Sequence, residues 1–132
     1  MARGLPDPLQ LREIKYGTKT SSEERRRVAR LLAEAGRFAE ALDLFLLAGD
    51  EEGEAESRRR AVAEGYPVLL LVLKRAGRTI SGDEWRQAAE AAVRAGRWRE
   101  AFRCYPEAGD EAGLLAIQDK LPDYAIYTPQ GK

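Results

Sequence analysis

Five carboxylates fall within seven residues at Asp50-Glu51-Glu52-Gly53-Glu54-Ala55-Glu56, a density that invites a divalent cation. The run lacks the alternating ligand spacing and central glycine geometry of a calcium-binding loop. Acids at a helix N-terminus, where the helix dipole favours them, account for it. Glu84, Glu90 and Glu100 supply the residue type that general acid–base chemistry uses in pairs, but nothing in their spacing holds two of them together. The chain contains no histidine, so it lacks the commonest general base and the commonest metal ligand. No Ser/His/Asp or Cys/His set can form without one. The single Cys104 has no internal disulfide partner, and its helical setting makes it a small apolar filler. The glycines punctuate helices and form no phosphate-cradling loop. We therefore expect no catalytic, metal or cofactor site, and a function other than that of an enzyme.

The arginines are the remaining candidates. Arg25-Arg26-Arg27 and Arg58-Arg59-Arg60 suggest nucleic acid, which makes a nucleic-acid-associated helical protein the alternative reading. Consecutive helical residues diverge by about 100°, so neither triplet forms one patch. Carboxylates four residues away, as in Glu23–Arg27 and Glu54–Arg58, offset them. Lys plus Arg and Asp plus Glu both total 22, so no net field draws the chain to nucleic acid or to an anionic membrane. The preferred partner-binding residues are Arg27, Arg30 and Glu34, with Arg86, Glu90 and Arg94. They form the polar faces of two helices that occupy equivalent places in an internal repeat.

That repeat organises the chain. Residues 35–53, AGRFAEALDLFLLAGDEEG, return as residues 95–113, AGRWREAFRCYPEAGDEAG. Ala35, Gly36, Arg37, Glu40, Ala41, Ala48, Gly49, Asp50, Glu51 and Gly53 are identical sixty residues on. Phe38, Leu42 and Phe45 become Trp98, Phe102 and Tyr105. Upstream, Ser21-x-x-Glu24 and Ser81-x-x-Glu84 read as capping boxes at the same offset. Repetition of this kind signals a stacked-helix array.

The residues before Ser21 read as an arm, residues 1–20, held extended at first by Pro6 and Pro8, with one short turn near Leu9, Leu11 and Ile14. From Ser21, Val28, Leu31, Leu32 and Ala35 recur as one buried stripe, and Gly36 ends the helix. The next helix, from about Arg37 to Ala48, turns Phe38, Ala41, Leu42, Phe45 and Leu46 inward, with Leu44 and Leu47 as a second apolar side. Asp50 caps a polar helix over about 51–64, whose apolar positions are Ala55, Ala61 and Val62. Pro67 opens a fourth helix, and the run Val68–Leu73 makes it central to the core. The helix from Ser81 to Ala95 carries Trp85 and several alanines. In the helix from Arg97, Pro106 stands where the first copy has Leu46 and is expected to end or kink it early. A last helix over about 110–121 offers Leu114, Leu115, Ile117 and Leu121 as a lid, before an aromatic tail, residues 122–132.

The runs Gly36-Arg37-Phe38-Ala39-Glu40-Ala41-Leu42-Asp43-Leu44-Phe45 and Gly96-Arg97-Trp98-Arg99-Glu100-Ala101-Phe102-Arg103-Cys104-Tyr105 resemble the junction and second helix of a tetratricopeptide repeat. Trp85 matches the aromatic which that family places in its first helix; Arg25 stands there in the other copy. The usual spacing of about 34 residues and the closing proline are missing. The AGR…EA…AGD pattern is also similar to the shorter helical-hairpin repeats of trafficking solenoids. The resemblance implies an interaction scaffold in which the first helix of each pair lines a concave face.

The expected fold is all-α: antiparallel helical hairpins, about seven helices, stacked over residues 21–121 as a short right-handed α-solenoid. The expected function is a protein–protein adaptor or scaffold binding a peptide or protein through its concave face, with self-association as a variant. The N-terminus has no apolar signal-like stretch, and the longest apolar run, Val68–Leu73, is far short of the ~20 residues a membrane span needs. The expected setting is cytoplasmic, without membrane contact.

Overall fold

The computed structural model describes residues 5–17 and 19–116. Among these residues the chain is all-helical, without a strand. The elements are α1 (Pro8–Tyr16), α2 (Ser22–Glu34), α3 (Phe38–Ala48), α4 (Glu51–Glu64), α5 (Pro67–Arg75), α6 (Gly82–Arg94), α7 (Trp98–Ala108) and α8 (Glu111–Ala116). The seven helices expected after Ser21 are all present, and α1 precedes them. The chain divides into two compact units between Ser57 and Arg58, within α4. The expected tail over residues 122–132 lies outside the described residues. So do Ile117 and Leu121 of the last helix and Met1–Gly4 and Thr18 of the arm.

In the first unit, α1 replaces the mainly extended arm. Asp7 accepts a hydrogen bond from the Gln10 N–H at 2.8 Å, and Gln10 Oε1 accepts from the Asp7 N–H at 3.0 Å, a complete capping box. Pro8 then sits at the first helical position, where its fixed φ helps and its missing N–H costs nothing. The helix α2 packs along α3 across the three-residue turn 35–37, forming an αα-hairpin. Val28, Ala29 and Leu32 meet Ala41, Leu44 and Phe45 in its core, with Leu5, Leu11 and Ile14 partly buried against them. Leu44 supplies the second apolar side as expected, whereas Leu47 is exposed. The capping box at Ser21 is half formed. Ser21 Oγ accepts from the Glu24 N–H at 3.1 Å, but the Glu24 carboxylate turns to Arg27.

The repeated residues build one junction twice. Gly49 takes φ +67°, its N–H donates to Leu46 O at 3.2 Å, and the Asp50 N–H donates to Phe45 O at 2.9 Å. This is a Schellman ending, and glycine is the residue that adopts it without strain. Asp50 Oδ1 then accepts from the Gly53 N–H at 3.1 Å and starts α4. In the second unit Gly109 takes φ +72°, with the matching bonds to Pro106 O at 3.0 Å and Tyr105 O at 2.9 Å. Asp110 Oδ1 accepts from the Gly113 N–H at 2.9 Å. In each copy an aromatic ring, Phe45 or Tyr105, lies directly on the second glycine. A Cβ on Gly53 would stand 2.6 Å from Phe45 Cε1, and one on Gly113 would stand 2.6 Å from Tyr105 Cε1.

The helix α4 departs from expectation in which side it buries. Ala55 is exposed, and the buried positions are Gly53, Ser57 and Ala61, spaced by four. Ser57 Oγ is satisfied by donating to Gly53 O at 2.9 Å. At Gly53 the Phe45 ring leaves no room for a larger side chain.

In the second unit, α6 and α7 form the equivalent hairpin across the turn 95–97. The helix α5 packs on both, and α8 packs on α7. Pro67, Leu69, Leu70 and Leu73 of α5 are buried, in line with a central role, while Val68 is partly exposed. Trp85, Ala88, Ala89, Ala91 and Ala92 are the buried side of α6. Its alanines admit the end of α4: a Cβ on Gly65 would stand 2.6 Å from the Ala91 carbonyl carbon. Pro106 does not end α7 early; α7 and α3 both have 11 residues. Pro106 gives up one ladder bond near the helix end, and the Schellman bonds that follow hold the last turn in place.

Candidate interaction surfaces

The six residues expected to bind a partner divide three to each unit. On α2, Arg27 is exposed and pairs with Glu24, three residues back, rather than with Glu23. That bond raises the Arg27 pKa above its ordinary value. Arg30 points toward Asp50, its Nη2 lying 3.7 Å from Asp50 Oδ2. Glu34 is exposed and has no bond to another described residue. On α6, Arg86 pairs with Asp83. Glu90 and Arg94 are exposed, without a hydrogen bond or ion pair to a described residue. Glu90 still acts at a distance: with Asp110 it adds to the burial that raises the Tyr105 pKa.

Asp50 is the buried charge of the first unit, 8% exposed. Its Oδ1 caps α4, while its Oδ2 is out of reach of solvent and accepts no hydrogen bond. Arg26 Nε at 3.4 Å and Arg30 Nη2 at 3.7 Å supply the compensating charge. The second unit does not repeat this arrangement: Arg86 is turned to Asp83, and Glu90 replaces the second arginine. The i, i+4 spacing of Arg26 and Arg30 is legible in sequence; the buried carboxylate they share comes from another helix and is not.

The arginine triplets are committed within their own units. Arg25, standing where the second copy has Trp85, donates through Nε to Ile14 O at 2.9 Å and through Nη2 to Gly17 O at 3.0 Å. It thereby closes the carbonyl end of α1. Arg58 forks onto Glu84 at 2.7 and 3.0 Å. Arg59 and Arg60 both lean on Glu64, at 3.7 and 3.2 Å. Glu84 also closes the Ser81 capping box, accepting from the Ser81 N–H at 3.0 Å. Arg58 first, and the Ser81 bonds with it, hold the Glu84 pKa down at about 2 against the opposing effect of burial.

The two copies use their shared turn arginine differently. Arg37 forks onto Glu40 at 2.6 and 2.7 Å. Arg97 instead donates to Glu64 O at 3.0 Å and Gly65 O at 3.2 Å, with its guanidinium 4.0 Å above the Tyr66 ring centre. Glu100, the counterpart of Glu40, keeps one buried oxygen without a hydrogen bond. Cys104 is fully buried and packs as a small apolar residue; burial first, and Glu100 and Glu107 with it, push its thiol up to about 12.

A pocket of about 520 Å³ opens between α1 and α2 in the first unit. Leu5, Pro6, Ile14 and Val28 give it apolar walls, and Arg27 and Glu13 lie at its margin. Among the described residues no group of three His, Cys, Asp or Glu side chains is placed to hold a metal ion. No helix among them is long and apolar enough to cross a membrane. No family model, curated protein or solved structure matches this chain.

Proposed function

We propose that the chain is a non-catalytic protein-interaction module, an adaptor or scaffold. In each unit the surface offered to a partner peptide or protein is the polar face that α2 or α6 turns away from its own hairpin core. The observation carrying this reading is the contrast between spent and unspent charge. The arginine triplets, Asp50, Glu84 and the turn arginines are occupied by internal contacts. Glu34, Glu90 and Arg94 are exposed without a hydrogen bond or ion pair to a described residue, and Arg30, although it helps to balance Asp50, keeps its side chain 55% exposed. Exposed groups of both signs at matching register suit a polypeptide partner, which carries both signs itself.

The test compares affinity capture by the intact chain with capture by the Arg30→Glu and Arg94→Glu variants, with and without nuclease, after circular dichroism has shown each variant folded. A stoichiometric partner that survives nuclease and is lost with either reversal supports the reading. Capture unchanged in both variants removes these faces from consideration. Capture abolished by nuclease transfers the function to nucleic acid.

A further inference from the structure

The helix α1 is attached unlike any other long helix of its unit. None of its residues is buried. Its nine residues are too few to be helical alone in water, so its contacts hold it. Leu11 and Ile14, three residues apart, lie partly buried on the α2–α3 core. Leu9 and Tyr16, seven apart, are on the opposite side of the helix and are 78% and 69% exposed. Two polar links complete the attachment: Arg25 on the carbonyls of Ile14 and Gly17, and Lys15 Nζ on Asp43 Oδ2 at 3.0 Å. The Asp43 bond raises the Lys15 pKa, so the lysine is charged in this contact. The pocket of about 520 Å³ beside Ile14 and Val28 lies along the seam between α1 and α2, so the strap does not fill the space at its own edge.

We infer that α1 is an exchangeable strap and that the groove beneath it, on α2 and α3, is a receptor for an amphipathic helix of the same chemistry carried by a partner protein. This rests on the protein-binding reading above but uses the side of α2 that faces α1, which shares Arg27 alone with the six residues named there. The seated segment states what the groove accepts. It takes two apolar residues at i and i+3, a cation one position later opposite Asp43, and a helix end whose free carbonyls meet Arg25. The last contact reads main chain only, so it does not depend on the partner's sequence. Apolar pairing and one charge supply the selectivity. A helix with a larger apolar residue in the place of Ile14 would also reach into the pocket, which gives a partner an advantage over α1.

The experiment is hydrogen exchange and methyl NMR on the full chain, with a synthetic peptide of residues 5–17 added in trans at roughly 1 mM. A control peptide carries Leu11→Ser and Ile14→Ser. In the chain alone, α1 amides should exchange ~10-fold or more faster than those of α2. The peptide should speed in-chain α1 exchange further and shift the Val28 and Leu44 methyls, and the control should do neither. Arg25→Ala should raise α1 exchange about tenfold while leaving α3 unchanged. Lys15→Ala, which breaks the Asp43 link from the strap side, should act in the same direction if Arg25→Ala does not fold. Exchange of α1 as slow as that of α2 would overturn the strap. Fast exchange without a peptide response would overturn the receptor. A dimer that exchanges α1 between copies would reassign the groove to a second copy of this chain. None of these failures touches capture through Arg30 and Arg94, so the two readings fail separately.

Discussion

Gly53 sits inside α4, where glycine is the poorest common helix former after proline. Replacing it with alanine should on propensity alone stabilise the helix by about 1 kcal/mol. The Phe45 ring reverses that expectation, because the new Cβ would stand 2.6 Å from Cε1. Overpacking of this kind costs about 1–3 kcal/mol. Gly53→Ala is therefore expected to lower stability, read as a lower urea midpoint at unchanged slope. The exposed Ala55→Gly, one turn face away, should lose only about 1 kcal/mol by propensity. If Gly53→Ala raised the midpoint, the ring-on-glycine contact would not be a constraint in solution. The same logic explains why glycine recurs at position 113, under Tyr105.

Between helices, the link most open to titration is Arg58 of α4 on Glu84 of α6. Glu84 has a folded pKa of about 2 against an ordinary 4.5. Its contribution is therefore complete above about pH 4.5 and is lost as pH falls toward 2. Thermal melts from pH 6 to 2 should show the melting temperature falling through that window. Glu84→Gln should start lower and fall less steeply there. A variant that falls as steeply as the parent would mean that other carboxylates carry the acid sensitivity. How far such elements can be read in advance depends on what sets them. Helix starts and stops at Ser21, Gly36, Gly49, Asp50, Ser81 and Gly96 are local, set by residues within a few positions, and they were legible. The box at Asp7 and Gln10 is equally local but was masked by two prolines that suggested an extended arm, although one of them is well suited to begin a helix. Pro106 misled in the same way, since its effect depends on how many ladder bonds follow it. The buried side of α4 was not legible, because small residues carry no periodic apolar signal. The partners of Arg25, Arg58 and Arg97 lie 8 to 33 positions away, beyond any local pattern.

Across the whole chain, the two hairpins agree in their caps and differ in their charges. Gly49, Asp50 and Gly53 do the same work as Gly109, Asp110 and Gly113. Arg26 and Arg30 on Asp50 have no equivalent on Asp110. What is repeated is therefore the framework of caps and turns, while both the charges and the core fillings differ, Val28, Leu32 and Leu44 giving way to Ala88, Ala92 and Cys104. The charges balance at 22 each and both arginine triplets have internal partners, so weak attraction to a polyanion is the expected outcome. Anisotropy titrations with a labelled DNA duplex and an RNA strand should show weak binding at low salt and a shallow dependence on salt concentration. A slope corresponding to several phosphate contacts would contradict this. Arg25 and Arg97 also have a consequence for how the chain tolerates change. Each guanidinium meets a fan of carbonyls at the end of a preceding helix. One residue added to that helix advances its end by 1.5 Å and turns the fan by about 100°. The arginine thus works as a ruler, checking the length of the helix it closes, and insertions should be accepted in the turns well before they are accepted in α1 or α4.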